Sequence, residues 1–128
     1  MREMRKFVGF GIIIFLWGCQ KPASLTTHGQ PVSYWIEALK EPDAKVRKKA
    51  VVALGHAVTV DPAALPALTG AVKDRDTGVR REAVLALLNL GPQARDAAPA
   101  LTDALKDKDA KVREYASKAL ARVQSDTK

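Results

Sequence analysis

Three aspartate–arginine pairs recur at one fixed spacing: Asp43-Ala-Lys-Val-Arg47, Asp76-Thr-Gly-Val-Arg80 and Asp109-Ala-Lys-Val-Arg113. A carboxylate four residues from a guanidinium invites a catalytic reading, and three such pairs invite it three times. A period of roughly 33 residues instead means stacked helical hairpins, in which the pairs are structural. Metal and acid–base sites need converging His, Cys, Asp or Glu at helical or paired short spacings. The chain has two histidines: His28 lies in a polar stretch, and His56 ends a helical pattern with no second histidine near it. No P-loop, dinucleotide-type glycine pattern or Gly-x-Ser-x-Gly is present. No catalytic residue, metal ligand or cofactor is therefore expected, and the chain reads as a non-enzyme.

The elements that carry the pairs repeat with them. Ala50, Ala83 and Ala116 fall in register, as do Leu54, Leu87 and Leu120 and, upstream, Leu39, Val72 and Leu105. Each unit places small or apolar residues three and four apart: Val46, Ala50, Ala53, Leu54; then Val79, Ala83, Ala86, Leu87; then Val112, Ala116, Ala119, Leu120. This is one buried helix face stated three times. Asp43, Asp76 and Asp109 stand where an N-cap is needed to accept from free backbone N–H groups, a role typically worth about 1 kcal/mol.

The other helix of each pair carries Trp35 and Leu39, Leu68 and Val72, Leu101 and Leu105. Pro31, Asp61-Pro62 and Asp96 mark its starts, and Pro66 and Pro99 are tolerated only near a helix beginning, where the missing N–H would go unbonded anyway. Gly91-Pro92 separates the second unit from the third, and residues 55–61 the first from the second. The pattern predicts an all-α chain: an α-solenoid of three stacked helical hairpins over about 31–57, 62–90 and 95–123. Three hairpins are near the minimum for a stable stack, and its ends must be polar to stay soluble. Lys111, Arg113, Glu114, Lys118 and Arg122 supply that at the last helix, while Trp35, where the other units have leucine, could close the first end. A domain of this size supports a net stability of roughly 9 kcal/mol.

The first thirty residues stand apart from the repeat. Arg2, Arg5 and Lys6 precede a twelve-residue apolar run, 7–18, and then Cys19, the sole cysteine. A spanning helix needs about 20 apolar residues and a secretory signal about 7 to 15, so residues 1–18 read as a signal peptide in preference to an uncleaved anchor. Leu16-Trp17-Gly18-Cys19 resembles the lipobox of bacterial lipoprotein signals. That resemblance implies that Cys19 becomes the first residue of the mature chain and carries lipid. A single acyl chain holds weakly, whereas a diacylglyceryl group adds two chains of palmitate type and anchors stably. Residues 19–30, polar with Pro22 and Gly29, read as a tether. The expected location is the bacterial cell envelope, with the folded part held on a membrane and facing the periplasm or exterior.

Asp-x-x-Val-Arg followed by Ala-x-x-Ala-Leu, with Pro-Ala-Leu in the preceding helix, resembles the short HEAT repeats of the group related to phycobilisome lyases. The resemblance covers residues 31–122. It implies a ladder of ion pairs between neighbouring hairpins, here Asp43, Asp76 and Asp109 with Arg47, Arg80 and Arg113. It also implies that the second helix of each pair lines a concave surface. Relatives in that group attach or remove bilin chromophores, but the shared residues build the repeat and carry over no site.

Outward positions on the second helices give a mainly basic face. Lys45, Lys48, Lys49, Arg81, Lys111, Tyr115 and Lys118 surround Val52 and Leu85, a small apolar centre inside a polar rim, which is the layout of a protein-binding patch. The whole chain carries a formal +7; loss of residues 1–18 leaves 18 basic and 13 acidic residues, a net +5. Such a surface could take an acidic protein or anionic headgroups, each basic group contributing on the order of 1 kcal/mol or less in salt. Nucleic acid is a poorer fit, because Tyr115 is the only aromatic in those columns that could stack on a base. The expectation is a monomeric, lipid-anchored scaffold that binds an unidentified protein through its concave face. The alternatives are a lyase-like protein assisting chromophore or other enzyme chemistry and a cytoplasmic nucleic-acid binder.

Overall fold

A computed structural model describes residues 29–125 of the 128. The signal peptide, Cys19 and most of the tether expected from the sequence lie outside the described residues. Within them the chain is helical, in three hairpins: α1 Val32–Ala38 with α2 Ala44–Ala57, α3 Ala64–Gly70 with α4 Thr77–Leu90, and α5 Ala98–Ala104 with α6 Ala110–Gln124. Two 3-10 segments, Ala71–Lys73 and Gly91–Ala97, extend α3 and lead into α5. The all-α stack of three hairpins read from the repeat period is the observed architecture. None of the described helices is long and apolar enough to cross a membrane.

Local signals set the boundaries. The Asp43 carboxylate accepts the Lys45 N–H at 2.8 Å, Asp76 that of Val79 at 3.0 Å and Asp109 that of Val112 at 3.0 Å, so all three aspartates cap the helices that follow them. Pro66 and Pro99 fall in the first turns of α3 and α5, where no intrahelical donor is lost. Gly91 ends α4 at φ +58 and ψ −126, a conformation that a side chain disfavours.

Long second helices form the spine: α2 packs on α4, and α4 on α6, with the shorter first helices laid against them. Small residues let them approach closely; a Cβ on Gly55 would stand 3.2 Å from the Ala86 Cβ. One core cluster joins Trp35, Ala50, Ala53, Leu54 and Ala64 in and beside the first hairpin. A larger one runs from Val51 through Leu68, Val79, Leu87, Leu101 and Val112 to Val123. Val51 and Val84, which the repeat columns did not single out, are fully buried, and Trp35 is a core residue of the first hairpin at 4% exposure.

Two expected core positions are exposed, Leu105 at 38% and Val46. Val79 and Val112 are fully buried, whereas Val46, in the same column, is 37% exposed. Helical periodicity identifies the face a residue lies on, and here the face of α2 that corresponds to the inter-hairpin side has no hairpin before it among the described residues.

Candidate functional site

Arg47 and Arg80 are the two buried charged residues of the described chain. A guanidinium so placed must be paired, because an isolated buried charge is strongly disfavoured. Arg47 donates from Nε to Asp74 Oδ2 at 2.9 Å and from Nη2 to Asp74 Oδ1 at 3.1 Å, and its Nη1 reaches the carbonyls of Glu41 and Pro42. Arg80 repeats the arrangement one unit on: Nε to Asp107 Oδ2 at 2.9 Å, Nη2 to Asp107 Oδ1 at 3.3 Å and to Thr77 Oγ1, and Nη1 to the carbonyls of Asp74 and Arg75. Each arginine thus ties its own hairpin's loop to a carboxylate of the next hairpin, in the two-pronged geometry that suits guanidinium and carboxylate.

A ladder therefore exists, but its acids are Asp74 and Asp107, not Asp43, Asp76 and Asp109. The reason is directional. Asp76 and Asp109 turn their carboxylates onto their own helices' first N–H groups, Asp109 meeting Arg81 and not a buried arginine, while the residues two before them meet the buried arginine of the preceding hairpin. Asp74 and Asp107 are held in that pose by the loop itself, each accepting the N–H of the capping aspartate at 2.8 Å. Arg113, expected as the third rung, is exposed and donates to the Asp107 carbonyl at 2.7 Å, with no carboxylate partner among the described residues. Burial on its own would raise the Asp74 pKa, but hydrogen bonds from Arg47 and from the Asp76 N–H hold it below the ordinary carboxylate value. Arg47 is correspondingly raised, chiefly by its bond to Asp74.

The sequence carried a signal for these acids that the Asp-Arg pairing obscured. Asp74 and Asp107 are themselves one period apart, in Asp-x-Asp segments, and the first unit has Glu41-Pro42-Asp43 at the same place.

The expected partner-binding face is largely cross-linked within the molecule. Arg81 grips Asp109 with both prongs, Nε at 2.9 Å, so Asp109 joins neighbouring hairpins as well as capping α6. That guanidinium first, and then the backbone N–H groups that the carboxylate accepts, drive the Asp109 pKa far down. Lys48 lies 3.9 Å from Glu82, and Glu114 takes both Lys111 at 3.1 Å and Lys118 at 2.8 Å. Bonds from Lys118 and Lys111 lower the Glu114 pKa, and Lys111 also stands 5.9 Å from the Tyr115 ring centroid, within cation–π range. Lys45 and Lys49 are exposed with no ionic partner among the described residues. Val52 and Leu85 are half-buried, and Val52 lines a groove of about 390 Å³ with Gly55, His56, Glu82, Ala86 and Asn89. The face is thus less basic than its composition implied, with its free cations gathered on α2. Among the described residues, no group of three or more His, Cys, Asp or Glu could hold a metal ion.

The HEAT-repeat family profile matches residues 32–121. The chain is a HEAT-repeat protein. Its fold is similar to a chain in the complex of CpcE and CpcF of phycocyanin lyase from Nostoc sp. PCC7120, at TM-score 0.62 and 27% identity, over 83% of this chain and 40% of that one. Two engineered proteins are similar at TM-score 0.56 and 26% identity, over 73% of this chain and 45% or 46% of theirs. The HEAT-repeat chain thus spans less than half the length of these structures. No curated protein sequence matches it. The residues that build the stack in this chain are the small apolar columns, the capping aspartates and the buried arginines.

Proposed function

We propose that this HEAT-repeat chain is a non-enzymatic scaffold, anchored by lipid at Cys19 to the bacterial cell envelope, that binds a partner protein through the face of α2, α4 and α6. The observation that carries the binding role is how the polar groups are used. The buried arginines and their aspartates serve the joints between hairpins, leaving Lys45, Lys49 and the half-buried Val52 and Leu85 as side chains that the stack does not require. An apolar centre beside unpaired cations suits an acidic protein segment with an apolar anchor. The address rests on the basic start, the twelve-residue apolar run and Leu16-Trp17-Gly18-Cys19.

The test is site-directed photo-crosslinking in a bacterial host. A photoreactive residue at Leu85 should yield a discrete adduct that one at Pro66, exposed on α3, does not, and Lys45→Glu with Lys49→Glu should abolish it. Equal adducts from both positions would remove the assignment of the face.

A second reading is favoured by the similarity to phycocyanin lyase: the stack assists chromophore chemistry. It predicts a shift in visible absorbance when a bilin is added to the purified protein, and an unchanged spectrum would remove it.

A further inference from the structure

The joint between hairpins repeats, so its two halves can be followed to the ends of the stack. Arg47 and Arg80 each reach a carboxylate of the following hairpin, Asp74 and Asp107. Arg113 is next in that series, exposed and with no carboxylate among the described residues. Glu41 occupies in the first hairpin the place that Asp74 and Asp107 occupy in the others; it too is exposed, and its carboxylate makes no ion pair among the described residues. Among the described residues the third hairpin therefore presents the arginine half of a rung, and the first presents the acid half.

Other joint contacts continue in the same way. Lys73 reaches Asp103 of the next hairpin at 3.4 Å. One unit further on, the lysine is Lys106, and the acid's place in a first hairpin is held by Glu37, whose exposed carboxylate pairs, among the described residues, with its neighbour Lys40. Lys48 on α2 meets Glu82 on α4; the corresponding end residues are Glu114 and Lys49, opposite in sign, but Glu114 is already bonded by Lys111 and Lys118, so this pair adds little to the joint. The Arg81–Asp109 contact is the exception, since its continuation sets Glu114 towards Asp43, but Glu114 is already bonded by Lys111 and Lys118.

The apolar groups agree. Val46 at the first end is 37% exposed while Val79 and Val112 are buried, and Leu105 at the last end is 38% exposed while Val72 is buried at 3%. Each is the outermost and most exposed member of its column, in which Val79, Val112 and Val72 are buried and Leu39 is half-buried.

We propose that the two ends are complementary halves of one joint, so that the last hairpin of one copy docks head-to-tail on the first hairpin of a second copy, Arg113 on Glu41 and Lys106 on Glu37. The contact is heterologous and leaves a free end on each side, so it propagates into a row of copies. It departs from the monomer expected from the sequence, and it holds whether or not the partner-binding role above is correct. In a row, the α2, α4 and α6 face would continue from copy to copy.

The test is sedimentation velocity on the full chain in mild detergent, over a wide concentration range, with Glu41→Arg, Arg113→Glu and the double reversal. Both side chains are exposed, so melting curves should show all three variants folded. The wild type should grow by whole copies as concentration rises. Either single reversal should weaken association by about tenfold or more, and the double reversal should restore it. Three results would each overturn the proposal: a monomer at every concentration, association that single reversals leave unchanged, or a double variant no better than the singles. A photo-crosslink from position 41 that lands within residues 1–28 of the same chain, in place of the last hairpin of a second copy, would overturn it as well.

Discussion

Arg80→Ala removes the second of the two buried rungs. The side chain is 7% exposed and makes five hydrogen bonds: two to the Asp107 carboxylate, two to loop carbonyls and one to Thr77. Bonds to charged groups contribute about 1.5–3 kcal/mol each, and breaking a buried pair by deleting one partner costs about 3–5 kcal/mol. The Asp107 side chain keeps 12% exposure and its bond from the Asp109 N–H, so water and backbone offset part of that loss. The expected cost is about 3 kcal/mol, near a third of the roughly 9 kcal/mol available to a domain of this size. At about 4–8 °C per kcal/mol, the midpoint of thermal unfolding should fall by roughly 12–24 °C. Thermal and urea unfolding followed by far-UV circular dichroism would measure it, with Arg113→Ala as the reference, expected within about 0.5 kcal/mol of wild type because that arginine is exposed. Arg80→Lys should recover less than half of the loss, since lysine keeps the charge and loses the two-pronged fit. If Arg80→Ala and Arg113→Ala melt together, the buried rung does not hold the hairpins and the reasoning fails.

The two kinds of loop aspartate should behave differently: Asp76→Ala, which loses a cap, should cost about 1 kcal/mol, and Asp107→Ala, which orphans Arg80, at least twice as much in the same unfolding assay. Asp74 sits below its ordinary pKa of 3.8 when folded, so the unfolded chain takes up the proton first. Its contribution is complete above that value and is lost as pH falls through the lower folded value; Asp74→Asn should flatten the acid limb of a stability–pH curve below about pH 5. Gly91→Ala should destabilise by about 1–3 kcal/mol, because φ +58 with ψ −126 strains any residue with a Cβ. A melting point equal to that of wild type would mean that the α4 end relaxes without cost.

Period made the fold legible. Constant spacing, apolar columns and capping aspartates each state one hairpin, and three statements agree. The ladder was only half legible. Arg47 and Arg80 stand out, but Asp74 and Asp76, or Asp107 and Asp109, are two carboxylates two positions apart, and which one turns back to its own helix depends on the loop's path. Glu114 pairs with Lys111 and Lys118 at spacings that a single helix reveals, but Arg81–Asp109 and Lys48–Glu82 join neighbouring hairpins far outside i,i+4, so that part of the neutralisation of the basic face emerges only when the hairpins are stacked. Val46 shows a further limit: periodicity identifies a joint face but does not provide the neighbour that would cover it.

The measurement that bears most directly on an anchored envelope scaffold is intact mass, taken from membrane and soluble fractions of a bacterial host for wild type and Cys19→Ala. The account predicts a membrane-bound species that begins at Cys19, carries the added mass of acyl chains and disappears in the variant. An unmodified chain of full length in the cytoplasmic fraction would contradict it.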